Sequence, residues 1–364
     1  MTDTQRVAVE ALLGDTPLPY IDQTLVEAKA VKGIEMQGGT LVLTVQLALP
    51  SLTLGAWLRE NLEPKLLELD GVSAVQWQLS SKIIAHKTQN NMKSMENVRN
   101  IVAVASGKGG VGKSTTTVNL ALALAAEGAR VGVLDADIYG PSQGLMLGIG
   151  QGQRPVTEGS MMRPISAYGV QAMSMSFLID DNQPMVWRGP MVSGALQQLL
   201  TQTGWDDLDY LFVDMPPGTG DIQLTLSQKV PVTGAVIVTT PQDIALLDAR
   251  KGIEMFRKVE IPVLGVVENM SLHVCSQCGH AEPIFGEGGG QKIAEAYDAE
   301  LLGQLPLALA IRQQSDSGAP IVAADPASEA ACHYRDIALR IAALLAARGK
   351  NYANVFPEIV VQND

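Results

Sequence analysis

The chain has 364 residues, of which 46% are hydrophobic and 18% are charged, and its formal net charge is −12. This acidic balance disfavours nonspecific binding to nucleic acid or to anionic membranes, so we expect protein or small-molecule partners instead. The chain has three cysteines, an odd number that disfavours a disulfide framework, and it lacks both a signal-peptide pattern and an apolar run of about 18 residues, which predicts a cytoplasmic protein without membrane partners.

Residues 1–84 predict a small α/β domain. Apolar periodicity predicts one helix at Val7–Leu13 and another at Leu54–Leu69, where Pro64 is expected to kink or restart the helix. Runs rich in β-branched residues predict three strands, with a turn at Gly38-Gly39 between the first two. These strands are Val31–Met36, Thr40–Val45 and Val72–Leu79.

A polar stretch at 85–99 lacks apolar periodicity and is predicted to be a linker. Residues 100–364 then alternate strands and helices, which predicts an α/β domain with a mostly parallel, doubly wound sheet. The longer strands end in polar residues, and we expect a ligand there, because an open α/β sheet binds its ligand at the carboxyl ends of its strands. The predicted strands are Ile101–Ala105, Val131–Leu134, Tyr210–Val213, Ala235–Val238, Val263–Val267 and Leu301–Leu305.

A phosphate-loop pattern, G-x-x-x-x-G-K-[ST], lies between the first of these strands and an apolar helical pattern at Ser114–Glu127. Its glycines allow backbone N–H groups to turn towards phosphate oxygens, and the helix adds the positive end of its dipole. Lys113 is expected to reach the terminal phosphates of ATP, and the Ser114 hydroxyl is expected to bind Mg²⁺. The predicted nucleotide-binding residues are Gly107, Lys108, Gly109, Gly110, Val111, Gly112, Lys113, Ser114 and Thr115.

Asp214 ends an apolar strand and precedes a Pro-Pro-Gly-Thr-Gly run at 216–220. An aspartate at this place usually holds Mg²⁺ in phosphate-loop enzymes, although a capping role is the alternative. A buried carboxylate also needs a cation or hydrogen-bond donors nearby. The following run suits a loop that changes conformation when the γ-phosphate leaves.

Cys275 and Cys278 form a C-x₂-C pair, which indicates metal binding, redox chemistry or no function. A tetrahedral metal site or an iron–sulfur cluster takes four protein ligands, whereas this pair supplies two, so two protomers would complete the set. A zinc site that adds His273 and His280 is an alternative. A thioredoxin-like redox couple is another, although here the pair does not open a predicted helix.

The segment Lys108–Thr115 resembles the K-G-G-x-G-K-[ST] signature of the deviant phosphate-loop ATPases, the group of septum-positioning, plasmid-partition, arsenite-pump and nitrogenase-iron proteins. The resemblance implies that Lys108 reaches the partner's nucleotide across a two-fold interface and that Asp137 positions the attacking water, with Asp135 as a supporting neighbour. It also implies that Asn269 hydrogen-bonds the adenine, although an ordinary turn asparagine is the alternative. The implied homodimer would also bring four thiolates together.

The chain from about residue 98 onwards resembles the Mrp/ApbC family of iron–sulfur cluster carrier ATPases. The resemblance rests on Lys108–Thr115, Asp135–Ser142, Trp187–Met191, Asp214–Asp221, Thr239–Asp243 and the Cys275/Cys278 pair with the following Phe285-Gly286. Residues 1–84 are similar to a small domain of iron–sulfur assembly factors, without its cysteine. The resemblance implies a homodimer that binds a labile [4Fe–4S] cluster at its interface, hydrolyses ATP slowly, and works between a cluster-assembly scaffold and apo-proteins. The place of Arg188 in this fingerprint suggests a site near the dimer interface, and its role is left open. A positioning or partition ATPase is the rival interpretation, which the lack of a basic cluster at 351–364 disfavours.

Overall fold

The computed structural model describes residues 1–21, 23–89, 92, 95–150, 152–178, 189–275 and 277–348, with the backbone alone described at 189–193. Trp187 and Arg188 of the predicted family fingerprint lie outside these residues, as does the C-terminal segment 351–364. Among the described helices, none combines the length and apolar character needed to cross a lipid bilayer.

The chain divides into two compact units, residues 1–84 with 339–347, and residues 85–338 with 348. The predicted linker, residues 85–99, is part of the second unit, and its residues His86 and Gln89 are buried. The side-chain amide of Gln89 donates to the backbone oxygens of Ser227 and Val230 at 2.7 and 2.5 Å. These polar side chains therefore lie inside the second unit rather than in solvent.

The first unit contains α1 (Asp3–Asp15), β1 (Val31–Gln37), β2 (Thr40–Leu47), α2 (Leu52–Asn61), α3 (Glu63–Leu67) and β3 (Ala74–Ser81). Its sheet has the order β1-β2-β3, with β2 antiparallel to β1 and parallel to β3. Gly38 and Gly39, both at positive φ, turn the chain between β1 and β2. The predicted helix 54–69 is two helices, because Pro64 occupies the first turn of α3, where its missing N–H costs nothing.

The helix α1 begins at Asp3, before the predicted start at Val7. Thr2 and Gln5 explain the difference, since each side chain accepts a hydrogen bond from the other's backbone N–H in a capping box. The buried core of this unit is apolar and draws on both helices and sheet. Its members include Val9, Leu13, Leu25, Leu41, Leu43, Val45, Leu54, Leu58 and Leu66.

The second unit is built on an eight-stranded sheet, with the order β15-β12-β11-β4-β10-β5-β9-β8 among the described strands. Neighbouring strands are parallel except for β8 and β9. The elements are β4 (Val98–Ala105), α4 (Lys113–Ala126), β5 (Val131–Asp135), α5 (Gln143–Met146), β6 (Thr157–Glu158), β7 (Met161–Met162), β8 (Ile165–Ala167), β9 (Val170–Ser174), α6 (Gly189–Gln202), β10 (Leu208–Asp214), α7 (Asp221–Lys229), β11 (Gly234–Thr239), α8 (Asp243–Lys258), β12 (Val263–Glu268), β13 (His273–Val274), β14 (Ala281–Glu282), α9 (Gly289–Ala296), β15 (Glu300–Gln304), α10 (Leu309–Asp316) and α11 (Ile321–Ala324). The last helix, α12 (Glu329–Ala346), belongs to the second unit up to residue 338 and to the first unit from residue 339.

The six predicted strands of this sheet are present as β4, β5, β10, β11, β12 and β15, which confirms the mostly parallel α/β fold. The hairpin β8–β9 was not predicted, because its strands are short and carry little apolar alternation. The central strand β4 is buried from Ile101 to Ala105, as expected for a parallel strand covered on both faces. The helix α4 is buried through most of its length and ends before Gly128, at φ +95°, as predicted.

Candidate functional site

The carboxyl ends of parallel strands bring the predicted polar residues to one edge of the sheet. Asp135 at the end of β5 lies in register with Asp214 at the end of β10, and Thr239 of β11 lies in register with Glu268 of β12. The strand β4 runs between β10 and β11 and continues into the phosphate loop. The prediction that these strand ends share one edge is therefore confirmed.

The glycines of the phosphate loop are required for different reasons. Gly110 and Gly112 have φ of +80° and +82°, a conformation that residues with a Cβ adopt only with strain. A Cβ on Gly107 would lie 2.1 Å from the backbone carbonyl of Asp248 in α8, so a larger residue would displace the loop. Gly109 faces open space without a positive φ. The role of Gly109 towards phosphate stays a prediction.

Lys113 lies at the start of α4 and is almost fully buried. Its ammonium donates to Asp214 Oδ1 at 2.5 Å and to Ser114 Oγ at 3.3 Å. The Oδ2 atom of Asp137 lies 3.8 Å from the same nitrogen. Lys113 is therefore the cation that compensates the buried charge at the strand ends, which explains how Asp214 is tolerated at zero exposure.

Gln143, a residue that the sequence did not single out, completes the surroundings of Asp214. Its side-chain nitrogen donates to Asp214 Oδ2 at 2.9 Å and to the backbone oxygen of Ser114 at 3.0 Å. Both neighbours are acceptors, which fixes the orientation of the amide. Its Oε1 atom is buried and has no hydrogen-bond partner among the residues that the structure describes. Thr117 donates to Asp214 Oδ1 at 3.2 Å.

Asp135 holds the loop that follows β5. Its Oδ2 atom accepts hydrogen bonds from the backbone N–H groups of Ser142 and Gln143 at 2.9 and 3.0 Å, and from Ser174 Oγ at 3.1 Å. Its Oδ1 atom accepts from the backbone N–H of Asp137 at 3.2 Å. Asp135 thus sets the path of the chain that presents Asp137. Ser174 belongs to β9, so its part in the site depended on a strand that was not predicted.

The cluster of carboxylates shifts the titration of its members. Burial, followed by the nearby charge of Asp214, raises the pKa of Asp135 to about 7, against the opposing effect of its backbone hydrogen bonds and of Lys113. Burial also raises the pKa of Asp137, while the Lys113 ammonium opposes the shift. The site therefore holds more acidic groups than the single buried lysine can neutralise.

Lys108 is half-buried, and its backbone oxygen accepts a hydrogen bond from Ser106 Oγ at 2.9 Å. Within the described residues, no hydrogen bond or ion pair involves its ammonium. The backbone N–H of Gly218 donates to the Ser106 oxygen at 3.0 Å and joins the predicted switch loop to the phosphate loop. A cavity of about 220 Å³ lies here, bordered by the loop, Asp137 and Pro217.

Asn269 follows β12 and braces the phosphate loop. Its Nδ2 atom donates to the backbone oxygen of Val111 at 2.8 Å, and its Oδ1 atom accepts from the N–H of Met270 at 2.9 Å. A Cβ on Gly112 would lie 2.1 Å from the same Nδ2 atom. The structure thus shows a contact between Asn269 and the loop, and its role towards adenine stays a prediction.

The two cysteines of the pair lie in the hairpin of the antiparallel strands β13 and β14. Cys275 is half-buried and Cys278 is exposed, and both are free thiols. The Cys275 N–H donates to the oxygen of His280, and the N–H of Gly279 donates to the Cys275 oxygen, both at 2.9 Å. Three hydrogen bonds lower the pKa of Cys275. The larger effects come from the backbone N–H groups of Gln277 and Cys278, and a smaller one comes from the Cys278 thiol. The hairpin therefore favours a thiolate at Cys275.

The alternatives for this pair find little support in the structure. In the described part of the chain, no three His, Cys, Asp or Glu side chains are grouped so as to hold a metal ion, so the predicted zinc set with His273 and His280 is not assembled. The Nδ1 atom of His273 lies instead 3.0 Å from the oxygen of Leu307. Cys278 lies in a turn between two strands, unlike the helix start expected of a thioredoxin-like couple.

Comparison with known proteins identifies the family of the chain. The family described as NUBPL iron-transfer P-loop NTPase matches residues 97–342, and the one described as iron-sulfur cluster assembly protein matches residues 6–77. The chain is 66% identical over 279 residues to an iron-sulfur cluster carrier protein of Pseudomonas fragi, covering 76% of this chain and 97% of that protein. It is 53% identical over 351 residues to one of Salmonella typhimurium, covering 96% and 94%.

A solved structure of a nucleotide-binding protein from Archaeoglobus fulgidus in complex with ADP is also similar, with 37% identity and a TM-score of 0.55 over 61% of this chain and 87% of that one. The family match spans the sheet, the phosphate loop and the cysteine hairpin of the second unit. The chain therefore belongs to the NUBPL iron-transfer P-loop NTPase family.

Proposed function

We propose that the chain is an iron–sulfur cluster carrier, which binds and hydrolyses ATP, takes a cluster from an assembly scaffold and delivers it to apo-proteins. The names of the two bacterial relatives support the carrier function, and the family supports nucleotide binding. The observation that carries the proposal is the pair of free thiols, half-buried Cys275 and exposed Cys278, on a short hairpin that favours a thiolate at Cys275.

The cluster is cargo shared between two copies of the chain. Each copy supplies the thiolates of Cys275 and Cys278, and two copies supply the four ligands of a [4Fe–4S] cluster. The backbone donors that lower the pKa of Cys275 also offset negative charge on a thiolate ligand. Because the pair lies at the surface, separation of the two copies would halve the ligand set, and this makes the cluster labile.

The phosphate loop binds ATP through its backbone N–H groups and the start of α4, with Lys113 directed at the terminal phosphates. Ser114 Oγ, the buried Asp214 carboxylate and the unpartnered Gln143 Oε1 are hard oxygen atoms, a donor set that fits Mg²⁺ with part of its water shell. When bound there, Mg²⁺ would neutralise charge on the phosphates.

Two further side chains would act on the γ-phosphate. Asp137, close to the Lys113 ammonium, would accept a hydrogen bond from the attacking water. Lys108, whose ammonium has no described partner in its own chain, would contact the nucleotide of the second copy. A cation supplied in trans is worth about 10³ to 10⁵ in rate for arginine fingers.

A short stretch of backbone joins the two sites. Asn269 contacts the phosphate loop. Between Asn269 and Cys275, two backbone hydrogen bonds fix the chain to the segment that follows β15. The N–H of Ser271 donates to the oxygen of Leu305 at 3.0 Å, and the N–H of Leu307 donates to the oxygen of Leu272 at 2.8 Å. A nucleotide-dependent shift of the loop would therefore reach the thiols over a short distance.

Purification under anaerobic conditions, followed by iron, sulfide and zinc analysis and by measurement of the molar mass, tests the carrier proposal. We expect iron and sulfide in equal amounts, little zinc, and a dimer when the cluster is bound. Stoichiometric zinc without sulfide would support a structural metal site instead. A protein that stays monomeric and takes up no iron with any nucleotide would refute the proposal.

Lys113→Ala tests whether the two sites are separable. We expect nucleotide binding to be lost, since the loop loses its phosphate cation, while chemical reconstitution of the cluster persists. Because Asp214 would remain buried without its cation, Lys113→Gln provides a second variant that keeps a hydrogen-bond donor. Lys251→Ala, at an exposed lysine of α8, is the control. Loss of cluster loading in folded Lys113 variants would show that the sites are not independent.

A further inference from the structure

The first unit contains a groove between α1, the turn at 24–30 and β1, called here the α1–β1 groove. Its volume is about 440 Å³, against about 220 Å³ for the cavity at the phosphate loop. Leu13 of α1 and Leu25 of the turn border it and are fully buried, whereas Val26 of the turn lines it and is 46% exposed. An apolar floor of this kind can accept side chains from a second molecule.

The groove follows the edge of a strand. Four consecutive residues of β1, Val31–Ile34, line it. Successive side chains of a strand point to opposite faces of its sheet. A cavity on one face would therefore be bordered by every second residue, whereas a cavity bordered by four consecutive residues runs along the edge of the strand. The strand β1 is the first in its sheet, and the described backbone pairs of its residues all go to β2. The N–H and C=O groups on its outer edge are thus available to a further strand.

The rim of the groove is positively charged. Lys29 and Lys32 are exposed there, and Arg6 and Glu10 neutralise each other in an ion pair of 3.0 Å. This leaves two positive charges at a groove of a chain whose net charge is −12. A lysine on the edge and a register shift between Val31 and Gly33 are features by which edge strands avoid indiscriminate pairing.

We propose that the α1–β1 groove binds an extended, acidic segment of a partner protein, which pairs with the outer edge of β1 as an additional strand. Its carboxylates pair with Lys29 and Lys32, and its apolar side chains cover the exposed Val26. The lysines then select the partner by charge, while the backbone supplies the alignment. This surface assigns the first unit a role in recognition, and it uses no residue of the nucleotide or cysteine sites.

Fluorescence anisotropy with the full chain and synthetic peptides of about ten residues tests the proposal. The first peptide alternates Glu with Val and Ile, the second replaces each Glu with Lys, and the third carries N-methyl groups that prevent strand pairing. We expect the acidic peptide to bind, with affinity that falls as salt increases, and the other two to bind at least about tenfold more weakly. Equal binding of all three, or no binding of the acidic peptide, would overturn the proposal.

Charge-reversal variants locate the site. Lys32→Glu should weaken the acidic peptide about fivefold, and the double variant with Lys29→Glu should weaken it further. Lys82→Glu is the matched control, since it makes the same charge change just after β3, the strand at the opposite edge of the sheet. Equal losses in Lys82→Glu and Lys32→Glu would refute the groove as the site.

The same variants separate this proposal from the carrier function. We expect ATP binding and iron loading to be unchanged in the Lys29→Glu/Lys32→Glu variant. If that variant instead abolishes dimer formation by the full chain, the occupant of the edge is a second copy, and the proposal of an acidic partner is wrong.

Discussion

Asp135→Asn would test the electrostatics of the site most directly. The carboxylate is fully buried, and burial with the nearby Asp214 raises its pKa to about 7 from the ordinary 3.8. Asparagine has nearly the same shape and no charge, and its oxygen can still accept from the N–H groups of Ser142 and Gln143. It loses the hydrogen bond from the Asp137 N–H, because the amide nitrogen would face another donor.

The size and sign of the effect follow from linkage. The folded state keeps the proton of Asp135 up to about pH 7, whereas the unfolded chain releases it near the ordinary value of 3.8, so the folded state binds more protons between these limits. Stability from this group is therefore present below about pH 4 and is lost as the pH rises through about 7. The full shift corresponds to roughly 4 kcal/mol, of which about 2 kcal/mol falls between pH 5.5 and pH 8.

Urea unfolding followed by circular dichroism across this range measures the difference. The pH range starts above the sequence pI of about 4.8, because a protein is least soluble near its pI. We expect the free energy of unfolding of the wild-type chain to fall by about 2 kcal/mol more than that of Asp135→Asn. The control is Asp316→Asn, at an exposed aspartate of α10, which should follow the wild type. Parallel pH profiles of the wild type and Asp135→Asn would refute the account of a buried, protonated carboxyl group.

Two further predictions compare matched pairs. Gly107→Ala should reduce ADP affinity and destabilise the fold by about 1–3 kcal/mol, because the new Cβ would meet the backbone of Asp248, whereas Gly109→Ala should leave the free energy of unfolding unchanged. Calorimetric ADP titration and thermal unfolding check this pair, and equal effects would contradict it. Cys275→Ser should prevent iron and sulfide uptake, while Cys332→Ser in α12 should not. Iron analysis after reconstitution decides, and loading of Cys275→Ser would exclude that thiol as a ligand.

The local motifs were readable because their physics is local. A glycine-rich loop between a strand and a helix indicates phosphate binding wherever it occurs, and the apolar strands ending at Asp135 and Asp214 place those carboxylates at one edge of a parallel sheet. The break in the predicted helix at Pro64 has the same local origin. Such features depend on residues that are close in sequence.

The contacts that complete the site join residues far apart in sequence. Gln143 reaches Asp214 across 71 positions, and Asn269 reaches Val111 across 158. No spacing rule indicates such pairs, and the isolated glutamine after Ser142 gave no signal of its own. The requirement for glycine at 107 likewise arises from the backbone of α8, which only the folded chain brings near.

The sequence by itself determined the phosphate loop, the parallel α/β sheet and the two thiols, since each is written in residues a few positions apart. The tertiary structure decided how the buried charges are balanced, that Lys113 compensates Asp214, and that Asn269 contacts the phosphate loop. It also placed the basic groove beside the open edge of β1. The physical reason is that desolvation and pairing of charges depend on distances between elements, which are set only when the sheets and helices pack together.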